Sequence, residues 1–581
     1  MTPCPVLIET DVETPMPDGV VLRSTVYRPA DGEPGPVLLT RTPYGRDLAV
    51  NSAYLNPATV AAAGYVVILQ DCRGRFGSEG DFVPSEHEAD DGAHTVEWAA
   101  RLPYANGRVG MWGRSYFAET QWRAASRTPE ALGALALGVS AGADANDGAL
   151  YRGGAFELGS RLSWGHASIA ANEVAREFAD DPERQGKELQ SWLDLDRLFA
   201  DGTAFNVLPV RDLRPALGTF MRQHVLPSAA EPPGSPATRR WDAASAEAVD
   251  LPTLHIGGWF DIFAPGTLTQ YHRQVERGRT GNGAAPRLIM GPWTHTNFSG
   301  TYPDISFGTA AAAGVMNGMG DLSGLQTAWF DAVLKDDSSG LRAVPPVLLY
   351  FMGENRWRGF DEFPTPARTR SWFLGAGGVL ADGPGETGSR SYDYDPLDPV
   401  PTAGGATMIH GAFPAGPADQ AAVEARADVL TFTTAPFAEN TTLFGEVTAT
   451  FFAASTAVDT DFVVRLCRVD GDGTSLGIAD GIIRAFWRDS YAGTGRWQPG
   501  HEPSALEPGR TYEYTVSLWH TAFTVAPGER LRVQITSSCH PRWDRNLNTG
   551  KLAYESGVAV TANQRIHVGA SHPSRLTVGL L

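Results

Sequence analysis

The stretch GRVGMWGRSYFAETQWRAASR, residues 107–127, carries the pattern that decides the fold. Its first half is apolar and typical of a buried strand ending at Gly113, and a helical pattern begins just after Ser115. A serine on such a turn, two residues after a glycine, has an exposed hydroxyl, and the helix N-terminus favours developing negative charge. Gly-x-Ser alone also fits an ordinary glycine turn. The pattern therefore makes Ser115 a candidate nucleophile whose partners must be sought elsewhere in the chain.

The sequence on both sides of this turn alternates short apolar runs with helical stretches. This alternation indicates a mostly parallel sheet with helices on its faces. It is interrupted by polar, charge-rich helical sequence that ends near the Pro-rich stretch AAEPPGSPATRR. We expect one α/β domain formed by residues 1–145 and 246–350, with a helical insertion at 146–245.

Compared with the α/β part, residues 351–581 have a different sequence pattern, in which short β-rich runs recur between Gly, Pro and Asp turns. The runs include VLTFTT, LFGEVTATFFAA, DFVVRLCRV, YEYTVSLWH and ERLRVQITSS. Many short strands separated by turns are typical of an antiparallel sandwich. We therefore expect a C-terminal all-β domain of the jelly-roll kind.

Composition and charge restrict the class of protein. With 581 residues, 42% of them hydrophobic and 19% charged, the chain is globular and too long for a single core. A formal charge of −19 disfavours nucleic acid and membrane surfaces as partners.

The cysteines and the apolar runs bear on the cellular compartment. The four cysteines lack metal-ligand spacing. The N-terminus lacks a signal-peptide pattern, and no apolar run approaches the ~18 residues of a membrane span. We expect reduced cysteines, a cytoplasmic protein and no metal or organic cofactor.

Two loops after predicted strands supply candidates for an acid and a base. Asp261 follows the strand in LPTLHIGGWFD, and His295 follows the strand in PRLIMGPWTH. Active-site groups gather at this edge of an open α/β sheet, and the order Ser, Asp, His is that of the α/β hydrolases. Asp261 also fits a helix N-cap. Among 13 histidines, His255 lies within an apolar strand and is better interpreted as a core residue.

With these residues in view, the chain resembles the cocaine esterase and X-Pro dipeptidyl-peptidase-like hydrolase family, which also holds the α-amino acid ester hydrolases. The shared motifs run along all the expected domains. They are RTPYGR at 41–46, QDCRGRFGSEGDF at 70–82, DDGAHTVEW at 90–98, GxSY at 113–116, GGWFD at 257–261, GPWTH at 291–295, DTDFVVRL at 459–466, LGIADGIIRA at 476–485 and PRWDRNLNTG at 541–550.

The resemblance implies an α/β-hydrolase domain, an inserted helical cap and a C-terminal jelly roll. It implies Ser115 as nucleophile, completed by Asp261 and His295, with an oxyanion hole formed by the Tyr44 hydroxyl and the Tyr116 N–H. By spacing alone, a tyrosine at position 44 also fits a packing role. Ala118 departs from the family, which usually has glycine there, but this change leaves the nucleophile turn intact.

The expected substrate is a small-molecule ester with an apolar or aromatic acyl group. In the α-amino acid ester hydrolases, acidic residues shortly after the triad aspartate help to hold an ammonium, whereas Asp261 is followed here by apolar residues. Phe263, Tyr151 and Trp164 are candidate pocket walls, and each also fits packing within the cap. Peptidase, amidase and amino acid ester hydrolase activities stay open, as does a homo-oligomeric state. A carbohydrate-binding protein is the alternative outside enzymes, but it leaves the ordered Ser, Asp and His unexplained.

Overall fold

The computed structural model describes residues 5–48, 54–142, 145–235, 238, 249–279, 285–316 and 320–581. A ten-stranded sheet organises the first part of the chain. Its strands are β1 (Val6–Pro15), β2 (Val21–Pro29), β3 (Gly35–Thr42), β4 (Val66–Asp71), β5 (Ala105–Arg114), β6 (Leu132–Gly138), β9 (Thr253–Phe260), β10 (Arg287–Thr294), β11 (Val347–Phe351) and β12 (Arg356–Phe360). Their spatial order is β1-β2-β4-β3-β5-β6-β9-β10-β11-β12.

The central strands from β4 to β11 are parallel, and antiparallel strands lie at both edges. β3 and β4 are buried along their whole length, as expected for a sheet covered on both faces. Neighbouring residues of β3 point to opposite faces, so Leu38 belongs to one hydrophobic core and Val37 and Leu39 belong to the other. The predicted α/β architecture of this part is confirmed.

Helices cover both faces of the sheet. Those of the α/β part are α1 (Pro57–Ala62), α2 (Glu88–Ala100), α3 (Tyr116–Ala125), α7 (Ala264–Arg279) and α8 (Leu322–Leu334). Val96 of α2 and Trp122 of α3 pack into the core on one face, and Leu268 of α7 and Phe330 of α8 pack into the core on the other face. Ala118 of α3 is fully buried in the first of these cores, which has room for its methyl group.

A mainly helical segment lies between β6 and β9. It contains the short strands β7 (Tyr151–Arg152) and β8 (Ala155–Phe156) and the helices α4 (Leu158–Ser163), α5 (Ala171–Glu177) and α6 (Pro182–Ala200). A π-helical turn, Trp164–Ala170, joins α4 to α5. The end of the expected Pro-rich linker and most of the residues up to 248 lie outside the described part of the chain.

The end of the chain is all-β, as predicted. Its strands are β13 (Arg368–Leu374), β14 (Leu380–Ala381), β15 (Gly388–Tyr394), β16 (Leu430–Thr433), β17 (Thr441–Ser455), β18 (Asp461–Val469), β19 (Ser475–Arg484), β20 (Tyr512–Val525), β21 (Arg530–Thr536), β22 (Ala562–Val568) and β23 (Arg575–Leu580), with one short helix, α9 (Ala421–Glu424). They form a seven-stranded and a four-stranded sheet, and all their pairings are antiparallel.

The boundary expected at residue 350 falls inside β11. The first sheet continues through the antiparallel strand β12 to Phe360. In the described ranges, no helix combines the length and the apolar character needed to cross a membrane. Cys72, Cys467 and Cys539 are buried free thiols, and Cys4 lies outside the described residues.

Candidate active site

Ser115 lies on a sharp turn between β5 and α3. Its backbone is strained, with φ 58° and ψ −123°, and its N–H donates to the Gly138 carbonyl over 2.9 Å. Gly113 has φ 136°, and a Cβ there would lie 2.5 Å from the Cβ of Phe117. The glycine is therefore required for the helix to begin so close to the strand. This turn lifts the serine side chain out of the strand at the carboxyl end of the sheet.

Asp261 and His295 occupy the equivalent positions after two neighbouring strands. Asp261 follows β9 directly and is fully buried, and His295 follows β10 with 5% of its surface exposed. Because β9 and β10 are parallel neighbours, their carboxyl ends bring both side chains to the same edge. Ser115 reaches this edge from β5, which is separated from β9 only by β6.

The three side chains form one hydrogen-bonded chain. His295 Nδ1 lies 2.7 Å from Asp261 Oδ1, and His295 Nε2 lies 2.8 Å from Ser115 Oγ. A buried carboxylate beside Nδ1 favours the tautomer with a proton on that nitrogen, so Nε2 is left to accept a proton. This is the arrangement of a nucleophile, a general base and an orienting acid.

Tyr44 lies in the loop after β3, on the pocket wall beside Ser115. Burial raises the pKa of its phenol to about 12, although hydrogen bonds with Trp164 and Ser115 oppose this shift. The indole Nε1 of Trp164 donates to the Tyr44 hydroxyl oxygen over 2.9 Å. The loop is braced by Arg75, whose Nε donates to the Pro43 carbonyl over 2.7 Å. Tyr44 is therefore a neutral phenol that can donate a hydrogen bond toward a group bound to Ser115.

Tyr116 is the first residue of α3, so its backbone N–H has no acceptor within the helix. Its hydroxyl donates to Glu88 Oε1 over 3.1 Å and accepts from the Ser85 N–H over 2.9 Å. Glu88 is itself paired with the buried Arg41 at 2.6 Å. Burial raises the pKa of the Tyr116 phenol well above its ordinary value. These contacts fix the first turn of α3 and hold the N–H in place next to Ser115.

A cavity of about 70 Å³ adjoins Ser115, and its lining includes the predicted Tyr44, Tyr116, Trp164 and Phe263. The Phe263 ring meets the His295 ring edge to face, with 5.1 Å between centroids. Further lining residues were not predicted as site residues; they are Ser85, Glu119, Ala141, Ala149, Ser160, Arg161, Ile262 and Met408. The sequence gives a weak indication that Glu119 and Arg161 belong to the site, because Glu119 lies one helical turn from Ser115 and Arg161 lies one turn from Trp164. Met408 carried none, because it comes from the all-β part, far away in sequence.

The structure places Tyr151 elsewhere, which corrects its expected role as a wall of this pocket. It lines a separate cavity of about 730 Å³ between the helical segment and the all-β domain, together with Trp487 and Trp497. Its hydroxyl donates to the backbone carbonyls of Ser228 and Glu231. Tyr151 and Trp164 are separated by the β7–β8 hairpin and α4, and this turn of the chain directs the two rings to different cavities.

Two charged side chains, Arg161 and Glu119, lie on the described wall of the cavity beside Ser115. Arg161 is a buried guanidinium on the pocket wall, 5.0 Å from the centroid of the Trp164 ring. The Glu119 carboxylate is neutralised by Arg123, whose Nε lies 2.5 Å away. Asp147, one acid that could have reached the pocket from the cap, lines a different pocket beside Arg152 and Trp519, and Asp144 lies outside the described residues. Within the described part of the chain, no three His, Cys, Asp or Glu residues are grouped to hold a metal ion.

Comparison with known proteins agrees with this architecture. The family described as X-Pro dipeptidyl-peptidase (S15 family) matches residues 18–297, and the X-Pro dipeptidyl-peptidase C-terminal non-catalytic domain matches residues 339–577. The cocaine esterase of Rhodococcus sp. (strain MB1 Bresler) is 32% identical over 600 residues, which cover 99% of this chain and 98% of the relative.

Two solved structures have the same fold along nearly the whole chain. An aminopeptidase from a Thaumarchaeota archaeon aligns with a TM-score of 0.81 at 23% identity, covering 99% of this chain and 96% of the other. An α-amino acid ester hydrolase aligns with a TM-score of 0.74 at 23% identity, covering 100% and 97%. The chain therefore belongs to the family of serine hydrolases that contains cocaine esterase and the X-Pro dipeptidyl-peptidases.

Proposed function

We propose that this enzyme is a carboxylic ester hydrolase that works by two-step acyl transfer. The observation that carries the proposal is the continuous hydrogen-bonded chain from Ser115 Oγ through His295 to Asp261, at 2.8 and 2.7 Å. His295 Nε2 takes the Ser115 proton while Oγ attacks the ester carbonyl carbon. The same proton then passes to the departing alcohol oxygen, which leaves an acyl group on Ser115.

The negative charge of the tetrahedral intermediate is stabilised by two donors, the Tyr44 hydroxyl and the Tyr116 N–H. Both act on charge that develops only during the reaction, so they lower the barrier more than they tighten substrate binding. In the second step a water molecule gives a proton to His295 and attacks the acyl carbonyl, and His295 then returns that proton to Ser115 Oγ as the bond between Oγ and the acyl carbon breaks and the carboxylic acid leaves. Asp261 keeps His295 in the useful tautomer and stabilises its cation in both steps.

The proposed acyl group is apolar or aromatic. Ile262 and Phe263 give the pocket wall apolar surface next to His295, and Trp164 adds an aromatic face. Among the described residues of this wall the only acid is Glu119, which is paired with Arg123, so a substrate ammonium would lack a free counter-charge there. These features support an uncharged acyl group over an α-amino acyl group.

Three parts of the chain each have a place in this function. We assign the ten-stranded sheet and its helices to an α/β-hydrolase domain, the helical segment to a cap over the pocket, and the C-terminal sheets to a jelly roll. Support for the cap comes from Trp164 and Arg161, which both line the cavity beside Ser115. Met408 brings the all-β domain to the same cavity.

Labelling with a fluorophosphonate, followed by mapping of the modified peptide, tests the proposal. The label is expected on Ser115, and p-nitrophenyl esters are expected to be hydrolysed much faster than amino acid p-nitroanilides. A label on another residue would refute the assignment of the nucleophile. Faster release of p-nitroaniline would instead place the enzyme among the peptidases of its family.

A further inference from the structure

The indole of Trp164 makes a polar contact that a simple pocket wall does not need. Its Nε1 donates to the Tyr44 hydroxyl oxygen over 2.9 Å, and only 8% of the Trp164 surface is exposed. An indole N–H can only donate, whereas a phenol oxygen can accept and also donate its own proton. The direction of this hydrogen bond is therefore fixed by chemistry. The Tyr44 oxygen accepts from Trp164, and its proton must point to a different acceptor.

This contact bears directly on the proposed oxyanion hole. A free phenol proton has two preferred positions in the plane of the ring, and the Tyr44 hydroxyl is hydrogen-bonded with Ser115 as well as with Trp164. The Trp164 N–H occupies one side of the Tyr44 oxygen, so the Tyr44 proton is directed to the other. Accepting a hydrogen bond also polarises the Tyr44 O–H, which makes it a stronger donor.

The Trp164 ring is itself held in place. It stacks on the Tyr116 ring, with 6.3 Å between centroids and 16° between planes, and the Arg161 guanidinium lies over the Trp164 ring, 5.0 Å from its centroid. Tyr116 in turn donates to Glu88. A rigid donor loses little entropy when it fixes its acceptor, which is the requirement for preorganisation.

We propose that Trp164 is a positioning residue that orients and polarises the hydroxyl of Tyr44 in the oxyanion hole. The inference rests on the proposed function, since it assumes that Tyr44 stabilises an oxyanion on Ser115. The helical segment then contributes to transition-state stabilisation as well as to the shape of the pocket. The effect of Trp164 must pass through the Tyr44 oxygen, and this requirement makes the proposal testable.

A double-mutant cycle with Trp164→Phe and Tyr44→Phe provides the test. Trp164→Phe keeps an aromatic wall but removes the N–H, and loss of one hydrogen bond is expected to lower kcat by about fivefold to tenfold with KM nearly unchanged. In the Tyr44→Phe background the same change is expected to leave kcat unaltered, because the acceptor is already gone. Trp192→Phe is the matched control, since its indole donates to the His166 carbonyl over 3.1 Å and does not contact Tyr44.

A second variant and a second measurement distinguish loss of the hydrogen bond from a change in side-chain packing. Replacing Trp164 by 3-benzothienylalanine preserves the bicyclic shape and puts sulfur in place of the N–H. Affinity for an arylboronic acid, which forms a tetrahedral anion on a serine, is expected to fall by the same factor as kcat, while affinity for the carboxylic acid product stays constant.

The outcomes separate this inference from the function on which it rests. Equal losses from Trp164→Phe in both Tyr44 backgrounds, a change in KM alone, or full activity with benzothienylalanine would each overturn the positioning role. If Tyr44→Phe retains full kcat or the boronic acid fails to bind to the wild-type enzyme, the proposed oxyanion hole itself is wrong.

Discussion

Selectivity against a substrate ammonium can be predicted quantitatively from the pocket. The perturbation is a single amino group, added by replacing a phenylacetate ester with the phenylglycine ester of the same alcohol. The ammonium would face the apolar side chains of Ile262 and Phe263, and Glu119, the one acid among the described wall residues, is paired with Arg123. Burying an unpaired charge costs several kcal/mol, whereas shedding a proton at pH 7 from an amine of pKa about 7.7 to 8.0 costs only about 1 to 1.4 kcal/mol. The substrate is therefore expected to bind as the neutral amine.

This comparison fixes both the size and the pH dependence of the effect. About 10 to 17% of such an amine is neutral at pH 7, and about 1 to 2% is neutral at pH 6. The phenylacetate ester is expected to have the higher kcat/KM, by about 6 to 10-fold at pH 7 and about 50 to 100-fold at pH 6, with near equality above pH 8.5. Using the ratio of the two substrates cancels the titration of the enzyme, because both reactions need the same protonation state of His295.

The assay is steady-state hydrolysis of the two esters between pH 6 and pH 9. Ile262→Glu should raise kcat/KM for the phenylglycine ester selectively, and Ile262→Gln is the uncharged control of the same shape. A preference for the phenylglycine ester at pH 7, or a ratio that does not change with pH, would refute the reasoning and indicate an ammonium-binding acid in the pocket.

Substitutions at Asp261, Gly113 and Asp459 probe the acid, the nucleophile turn and a buried carboxyl. Asp261→Asn, which offers His295 an amide in place of a carboxylate, should lower kcat by ~10⁴ with an unchanged circular dichroism spectrum, and a loss below tenfold would contradict the role of the acid. Gly113→Ala places a Cβ 2.5 Å from the Cβ of Phe117, at a residue with φ 136°. Activity should therefore fall at least 10²-fold and the melting temperature should drop, whereas normal activity would contradict the tight turn. Burial and the neighbouring Asp461 raise the pKa of Asp459 to about 7. The folded protein therefore holds this proton more tightly than the unfolded chain does, and the resulting stability is present at low pH and is lost as pH rises from about 4 through 7. The loss of melting temperature between pH 5 and pH 8 should be smaller in Asp459→Asn than in the wild type, and an equal or larger loss would exclude this carboxyl as the cause.

The parts of the site that could be predicted from sequence share one physical feature, which is their position at the end of a parallel strand. Ser115, Asp261 and His295 each follow a short apolar run, and parallel strands bring such positions to a common edge. Local pattern and the family resemblance together therefore grouped residues that are 180 positions apart.

The pocket walls could not be predicted in the same way. Tyr151 and Trp164 have the same aromatic character in the sequence, yet a hairpin and a helix separate them and direct them to different cavities. Met408 lies in an irregular segment of the all-β part, and its approach to Ser115 depends on how the domains pack together. Side-chain direction and domain packing are tertiary properties that local periodicity does not encode.

The hydrogen bond between Trp164 and Tyr44 shows a similar limit. The sequence predicts an oxyanion role for Tyr44 only through family resemblance, and it predicts Trp164 only as a wall. The contact between them spans 120 positions and two structural units. A donor and an acceptor so far apart in sequence leave no periodic signal, so this pairing required the folded structure.

The nucleophilic role of Ser115 is tested most directly by the kcat/KM of Ser115→Ala on a p-nitrophenyl ester, measured together with its melting temperature. Alanine removes only the hydroxyl from a position that is already strained, so the melting temperature should stay within about 2 °C of the wild type. We expect kcat/KM to fall by ~10⁶, to the level set by oxyanion stabilisation and binding alone. A folded Ser115→Ala enzyme with turnover within tenfold of the wild type would contradict it.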